Sequence, residues 1–380
     1  MNRKGFGASG AWRRNPDRPN VAHPEFDPER IGVLFFSRGR GRGHAVPDAA
    51  LAAELCRLRD DVDVRFVSYA TGAETFAELD HTVIDLDLPE DNPLFETLIR
   101  ATRVIGWLKP SLVIAHEELP ALAAAKILEL PTVYLADWFG RPEDIRTSLL
   151  AYADEIVFLD EAGVFPEPVQ AAGRVQYVGP VLRPFCYTRQ DRLRARQELG
   201  IPADQTVISV LPGSWTEDKA PIFSLVVAAF DLIPEKPKML IWIAGEDHAI
   251  LEKQARSRTD IVIKKQEWQM DRLMVASDVA VTKATRKTSM ELAALGIPSI
   301  SLSHGLNRID DIRVKLIPSN TALQAKEVEA AILAGTVTRI LHSPERLAGP
   351  RPGAAVKTEG RTLTAERLAW HVGRIARQPK

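Results

Sequence analysis

The chain has 380 residues, 45% of them apolar, and a net charge of −1. That length suits two domains with full cores, and the balanced charge excludes a global field aimed at nucleic acid. No apolar run reaches the roughly 18–20 residues of a membrane span, no secretory signal opens the chain, and two cysteines, Cys56 and Cys186, make neither a disulfide framework nor a metal cluster.

In chain order, residues 1–30 are rich in Gly, Asn, Pro and Arg without apolar period, and read as a disordered tail. Ile31 to Phe36 is a continuous apolar run, the mark of a buried parallel strand. It runs into Arg38-Gly39-Arg40-Gly41-Arg42-Gly43-His44 and an Ala-rich helix from Val46 to Leu58. Strands follow at 62–68 and 82–88, an amphipathic helix at 92–108, a strand at 112–115 ending in His116 and Glu117, and a helix at 119–128. A strand at 132–136 ends in Asp137 and Trp138, followed by a helix at 144–152 and strands at 155–159 and near 177. Strands alternating with helices predict a parallel sheet wound on both faces, with its ligand at the carboxyl ends of the strands. His44, His116, Glu117, Asp137 and Trp138 then share one edge.

The segment Gly179 to Pro184 reads as a linker. After a charged helix at 189–199 a second alternation begins, with strands at 206–211, 238–244, 261–264, 278–282 and 299–302. Helices are expected at 220–233 and from Asp271 to Ala276, and in the tail at 325–333 and 362–376. The division is a tail 1–30, a domain 31–182, a domain 183–345 and a closing segment 346–380.

The stretch from Val281 to Ser301 carries the most chemistry. A polar loop holding Lys283, Arg286 and Lys287 leads into a helix expected to start near Thr288 and Ser289, and to end at Gly296 before Pro298. A helix amino end offers unpaired N–H groups and partial positive charge to an anion, and three cations add to that field. Glu291, in the first turn, can accept from vicinal hydroxyls or merely complement its own helix dipole.

This stretch resembles the donor motif of GT-B glycosyltransferases, in the branch of the peptidoglycan N-acetylglucosaminyltransferase and the monogalactosyldiacylglycerol synthases. Gly41, Gly43, His44 and Pro47 resemble the amino-terminal signature of the same branch, about 240 residues upstream and in the right order. The resemblance implies an α/β fold of GT-B type, with two Rossmann-like, doubly wound domains facing a cleft. It implies a hexose or N-acetylhexosamine moved from a UDP-sugar to an acceptor hydroxyl with inversion, Glu291 on the ribose, and a last helix crossing back to the first domain. The branch has Gly in the loop where this chain has Ala284-Thr285-Arg286-Lys287, and a Gly where it has Pro212, whose ring nitrogen has no N–H to give a phosphate.

The same likeness places Gly43, Gly213, Ser214, Lys283, Arg286, Thr288 and Ser289 near the donor, Trp268 and Gln269 near its base, and His304 and Asn307 near its sugar. His44 is the candidate general base; contact with the diphosphate is the other role open to it. Glu117 and Asp137 are acceptor-side candidates and rival bases. Cations stand in for a metal, and no cofactor beyond the UDP-sugar co-substrate is expected. The acceptor stays open among lipid, glycan and small aglycone, and nucleic acid is not expected as a partner. The expected location is cytoplasmic, with peripheral contact at the inner membrane surface compatible. A UDP-sugar 2-epimerase and a non-catalytic sugar-nucleotide-binding protein are the alternative functions.

Overall fold

The computed structural model describes residues 25–89, 91, 93–139, 144–212, 219–255, 258–303, 313–317, 319–324, 328–343 and 358–377. Its strands fall into two wholly parallel sheets. The first contains β1 (Ile31–Ser37), β2 (Val62–Ser68), β3 (Val83–Asp85), β4 (Leu112–His116), β5 (Thr132–Ala136), β6 (Glu155–Phe158) and β7 (Val175–Tyr177), in the order β3-β2-β1-β4-β5-β6-β7. The second contains β8 (Thr206–Leu211), β9 (Lys238–Ile243), β10 (Ile261–Lys264), β11 (Val279–Thr282), β12 (Ser299–Ser303) and β13 (Asn320–Gln324), in the order β10-β9-β8-β11-β12-β13. The order reverses between β1 and β4, and again between β8 and β11. Those switch points open a crevice beyond the carboxyl ends of the strands.

Helices cover both faces because the central strands are apolar on both sides. On one face of the first sheet lie α1 (Ala45–Leu58) and α2 (Ala70–Glu78); on the other lie α3 (Leu94–Leu108) and α4 (Leu119–Ile127). In the second sheet α5 (Arg192–Glu198), α8 (Met270–Ala276) and α9 (Arg286–Ala294) share one face. The opposite face carries α6 (Lys219–Leu232), α7 (His248–Ala255) and α10 (Ala330–Leu341). The last helix, α11 (Gly360–Ala376), packs on α1, placing Leu368 and Val372 in the core of the first domain. Glu155 on β6 clasps it, accepting from Arg367 (Nη2, 2.8 Å) and facing His371 Nε2 at 2.9 Å.

Several elements depart from the sequence reading. Phe26, expected within a disordered tail, packs: its ring lies so near Gly32 that a Cβ there would come within 2.7 Å of it. The turn at 145–152 is 3-10 rather than α-helical. The helix expected at 325–333 is Ala330–Leu341. Two helices, α2 and α7, and the edge strand β13 had no expectation. β13 reads NTALQ and is half-buried along its length, so it lacks the apolar run that marked the central strands.

Candidate functional site

The first rim of the crevice is built by strand ends that meet at the β1/β4 switch point. Ser37 and His116 are register partners at the ends of β1 and β4. The loop after β1 runs close under Tyr69, so close that a Cβ at Gly39 would lie 2.2 Å from the Tyr69 carbonyl, and Gly41 adopts a φ of 65°. Gly43 has open space around it, so backbone access rather than steric need marks that position. His44 caps the start of α1 without a side-chain capping bond, which leaves its ring for the crevice.

Two imidazoles and three carboxylates meet there. His44 Nε2 lies 3.1 Å from Glu117 Oε2, and its ring stands edge-on to His116 with centroids 4.7 Å apart. His116 Nδ1 lies 2.7 Å from Asp48 Oδ1, and Asp48 in turn accepts from the Ser37 hydroxyl. His116 Nε2 faces Asp137 Oδ2 at 3.5 Å, an ion-pair distance rather than a formed hydrogen bond. Ser37, Asp48 and His116 are fully buried. Glu117 holds φ at 51°, a left-handed conformation that costs a non-glycine residue about 1–3 kcal/mol and tends to occur at functional sites.

The protonation states follow from these contacts. Burial dominates at His44 and lowers its pKa; Glu117 opposes, while His116 and Lys287 push the same way as burial, so the ring is neutral. Burial also disfavours charge on His116, but the Asp48 and Asp137 carboxylates outweigh it and raise that pKa to about 9. Burial would raise Asp137 as well; Lys287 and Arg286, with His116, instead hold it well below the usual carboxylate range.

The second rim is the amino end of α9. The helix begins at Arg286, two residues earlier than expected, because Ala284 turns the chain with a φ of 41° where a glycine would be unstrained. Thr285 is the N-cap, yet its hydroxyl makes no capping bond and is buried without a partner. Thr288 and Ser289 therefore lie inside the first turn instead of capping it. Ser289 is buried, with its hydroxyl 3.3 Å from that of Ser301. Lys283 is buried beside the loop.

The rims touch. Lys287 Nζ donates to the Gly43 carbonyl (2.6 Å) and lies 2.7 Å from Asp137 Oδ2. Arg286 donates to the Asp137 carbonyl and lies 3.6 Å from its Oδ1. Arg42 donates to Gln266 Oε1 (3.0 Å) and stacks over Trp268, 4.5 Å from the ring centroid. Trp268 is 53% exposed, so it is not a core residue. Gln269 is the N-cap of α8, its N–H bonded to Glu267. Deeper in, Arg313 forks onto Asp160 (2.8 and 3.0 Å) with both side chains buried.

Glu291 is buried in α9 and accepts from Arg183 Nε of the linker at 2.6 Å. Any ribose contact therefore shares this carboxylate with Arg183 or displaces it. Gly213, Ser214, His304 and Asn307 lie outside the described residues. Sequence reasoning missed Asp48, Ser37 and Arg183. Asp48 lies in the first turn of α1, and only the β1/β4 pairing brings it under His116.

Comparison with known proteins agrees with this fold. The lipid-A-disaccharide synthetase family matches residues 161–313. A UDP-N-acetylglucosamine–N-acetylmuramyl-(pentapeptide) pyrophosphoryl-undecaprenol N-acetylglucosamine transferase of Halalkalibacterium halodurans is 23% identical over 376 residues, covering 90% of this chain and 99% of its own. Among solved structures, the glycotransferase of kitacinnamycin superposes with a TM-score of 0.67 at 15% identity, over 92% of this chain and all of its own. The chain has the GT-B fold. The MurG of Acinetobacter baumannii shares that GT-B architecture (TM-score 0.60, 15% identity, 90% of this chain and 99% of that one). So does the UDP-GlcNAc 2-epimerase of Neisseria meningitidis (0.61, 14%, 89% and 99%). The resemblance carried by the two motifs thus extends over most of the chain.

Proposed function

We propose that the chain transfers a hexose or N-acetylhexosamine from a UDP-sugar to an acceptor hydroxyl, with inversion and without a metal in the reaction. The observation that carries this reading is the meeting of a neutral, carboxylate-oriented His44 with the open amino end of α9 and its cations across one crevice. With Nε2–H held by Glu117, the lone pair of His44 is on Nδ1, which is buried and has no hydrogen-bond partner. The acceptor O–H gives its proton to that nitrogen, the oxygen bonds the anomeric carbon, and the bond to the diphosphate breaks. Lys287, Arg286 and the first N–H groups of α9 stabilise the charge that develops on departing UDP. In the structure the Asp137 carboxylate holds those cations, the position a phosphate would take over.

A small recess beside Glu117, the partner of His44, is lined also by Arg38, Tyr134, Trp138 and Arg146 and offers a place for the acceptor. The outer face of the same domain supports a lipid-bearing acceptor and peripheral membrane contact. Phe95 (75% exposed), Ile99, Arg103 and Trp107 recur every fourth residue along the outside of α3, and Ile127 and Ile145 on neighbouring elements are exposed too. Tryptophan and arginine beside exposed aliphatics suit a membrane interface. On the inner side of the same helix Ala101, Val104, Ile105 and Leu108 serve the core, and the stripe does not. Among the described residues no helix is long and apolar enough to cross a membrane.

An epimerase acting on a free nucleotide sugar has no use for that stripe, which favours transfer. The test is UDP release from UDP-N-acetylglucosamine, with and without a polyprenyl-diphosphate glycan in vesicles. Release that needs the acceptor supports the reading. Epimer formed without acceptor, seen by NMR, or UDP binding with no turnover, overturns it.

A further inference from the structure

His44 Nε2, His116 Nε2 and Asp137 Oδ2 lie within 4.8 Å of one another, and two of the separations are 3.5 and 4.0 Å. Donor atoms bound to one tetrahedral zinc ion stand roughly 3.3 Å apart, given bonds of about 2.0–2.1 Å, so a small contraction would close the set. Two imidazoles and a carboxylate are the donor chemistry of zinc sites with an open fourth position. Behind them stands the support such sites use: the Asp48 carboxylate holds His116 Nδ1, which directs Nε2 into the cluster, and Ser37 holds Asp48. His116 Nε2 is buried there without a hydrogen-bond partner.

Charge points the same way. Asp48, Glu117, Glu118 and Asp137 crowd this rim, where Arg38 of the first domain pairs with Glu117. Lys287 and Arg286 come from the second domain. Parting the two rims would leave the first with its carboxylates and without those two cations. We propose that His44, His116 and Asp137 form a divalent transition-metal site of zinc type, filled in the open protein and exchanged for the Lys287 ammonium on closing. Zinc held there replaces the Nε2 protons of His44 and His116, which pass to solvent, breaks the His44–Glu117 contact and takes the place of Lys287 on Asp137, so the metal-bound form is an arrested state. This inference stands apart from the transfer reaction, because the binding needs no sugar nucleotide.

The test uses the full-length protein, dialysed against chelator and titrated with Zn²⁺ by calorimetry and with Co²⁺ by visible absorption. One equivalent is expected to bind, with a cobalt band of tetrahedral intensity. His116→Gln and Asp137→Asn each weaken binding at least about tenfold, and Asp48→Asn weakens it by about 10–100-fold through loss of ring orientation. Lys287→Ala tightens it, since the competing ammonium is gone. Should His116→Gln fail to fold, His44→Gln at the more accessible ligand supplies the same loss. No binding, binding indifferent to these ligands, or an affinity unmoved by Lys287→Ala overturns the proposal.

Discussion

The two rims of the crevice are built on different principles. The first is a buried cluster in which Ser37, Asp48, His116, Glu117 and His44 fix one another through contacts of one domain. The second is a helix end whose own cap is unmade and whose cations find their partners across the gap, on Asp137 and Gly43. Preorganised hydrogen bonds hold a base and its tautomer, whereas borrowed ion pairs can be handed to a ligand. The difference teaches that proton chemistry belongs to the first domain and anion binding to the second.

That comparison can be broken at several points. Arg313→Ala removes one partner of the wholly buried Asp160 pair and leaves a carboxylate without its charge; the expected cost is about 3–5 kcal/mol, read by denaturant unfolding. A loss near zero would mean the domains are not braced there. Lys287→Ala is expected to lower kcat by about 10²–10³-fold, as for a lost oxyanion donor, and to weaken UDP binding. Undiminished UDP affinity would detach the second rim from the diphosphate. Glu291→Ala is expected to weaken UDP about tenfold, the scale of charged hydrogen bonds to the ribose, measured as lost thermal protection. Protection equal to wild type would leave Glu291 as a mere anchor for Arg183.

Glu155→Gln is the smallest effect, about 1 kcal/mol, because Arg367 is a third exposed and water screens the pair. Burial would raise the Glu155 pKa, but His371 and Arg367 lower it below its ordinary 4.5. Its contribution is therefore whole above about pH 4.5 and fades as the pH falls toward the depressed folded value. The variant should flatten the acid side of the stability curve; an unchanged slope would show that the clasp on α11 contributes nothing.

The central strands and α9 were legible because their signals are local: continuous apolar runs, glycine and proline punctuation, and a motif within about ten residues. His44, His116, Glu117 and Asp137 were legible as strand-end residues of one sheet edge. What joins them was not. Asp48 beneath His116, Arg183 on Glu291 and Arg313 on Asp160 lie 68, 108 and 153 residues from their partners. No local pattern encodes such pairs; the sheet order creates them. β13 escaped for another reason: a polar edge strand satisfies its backbone without an apolar signature.

The central claim is that His44 acts on the acceptor while the end of α9 holds the donor. Parallel measurement of UDP affinity and acceptor-dependent UDP release in His44→Ala tests it most directly. The account predicts affinity close to wild type and turnover reduced about 10²–10⁴-fold, the contribution of a general base. Turnover left intact, or UDP affinity and turnover falling together, would contradict it.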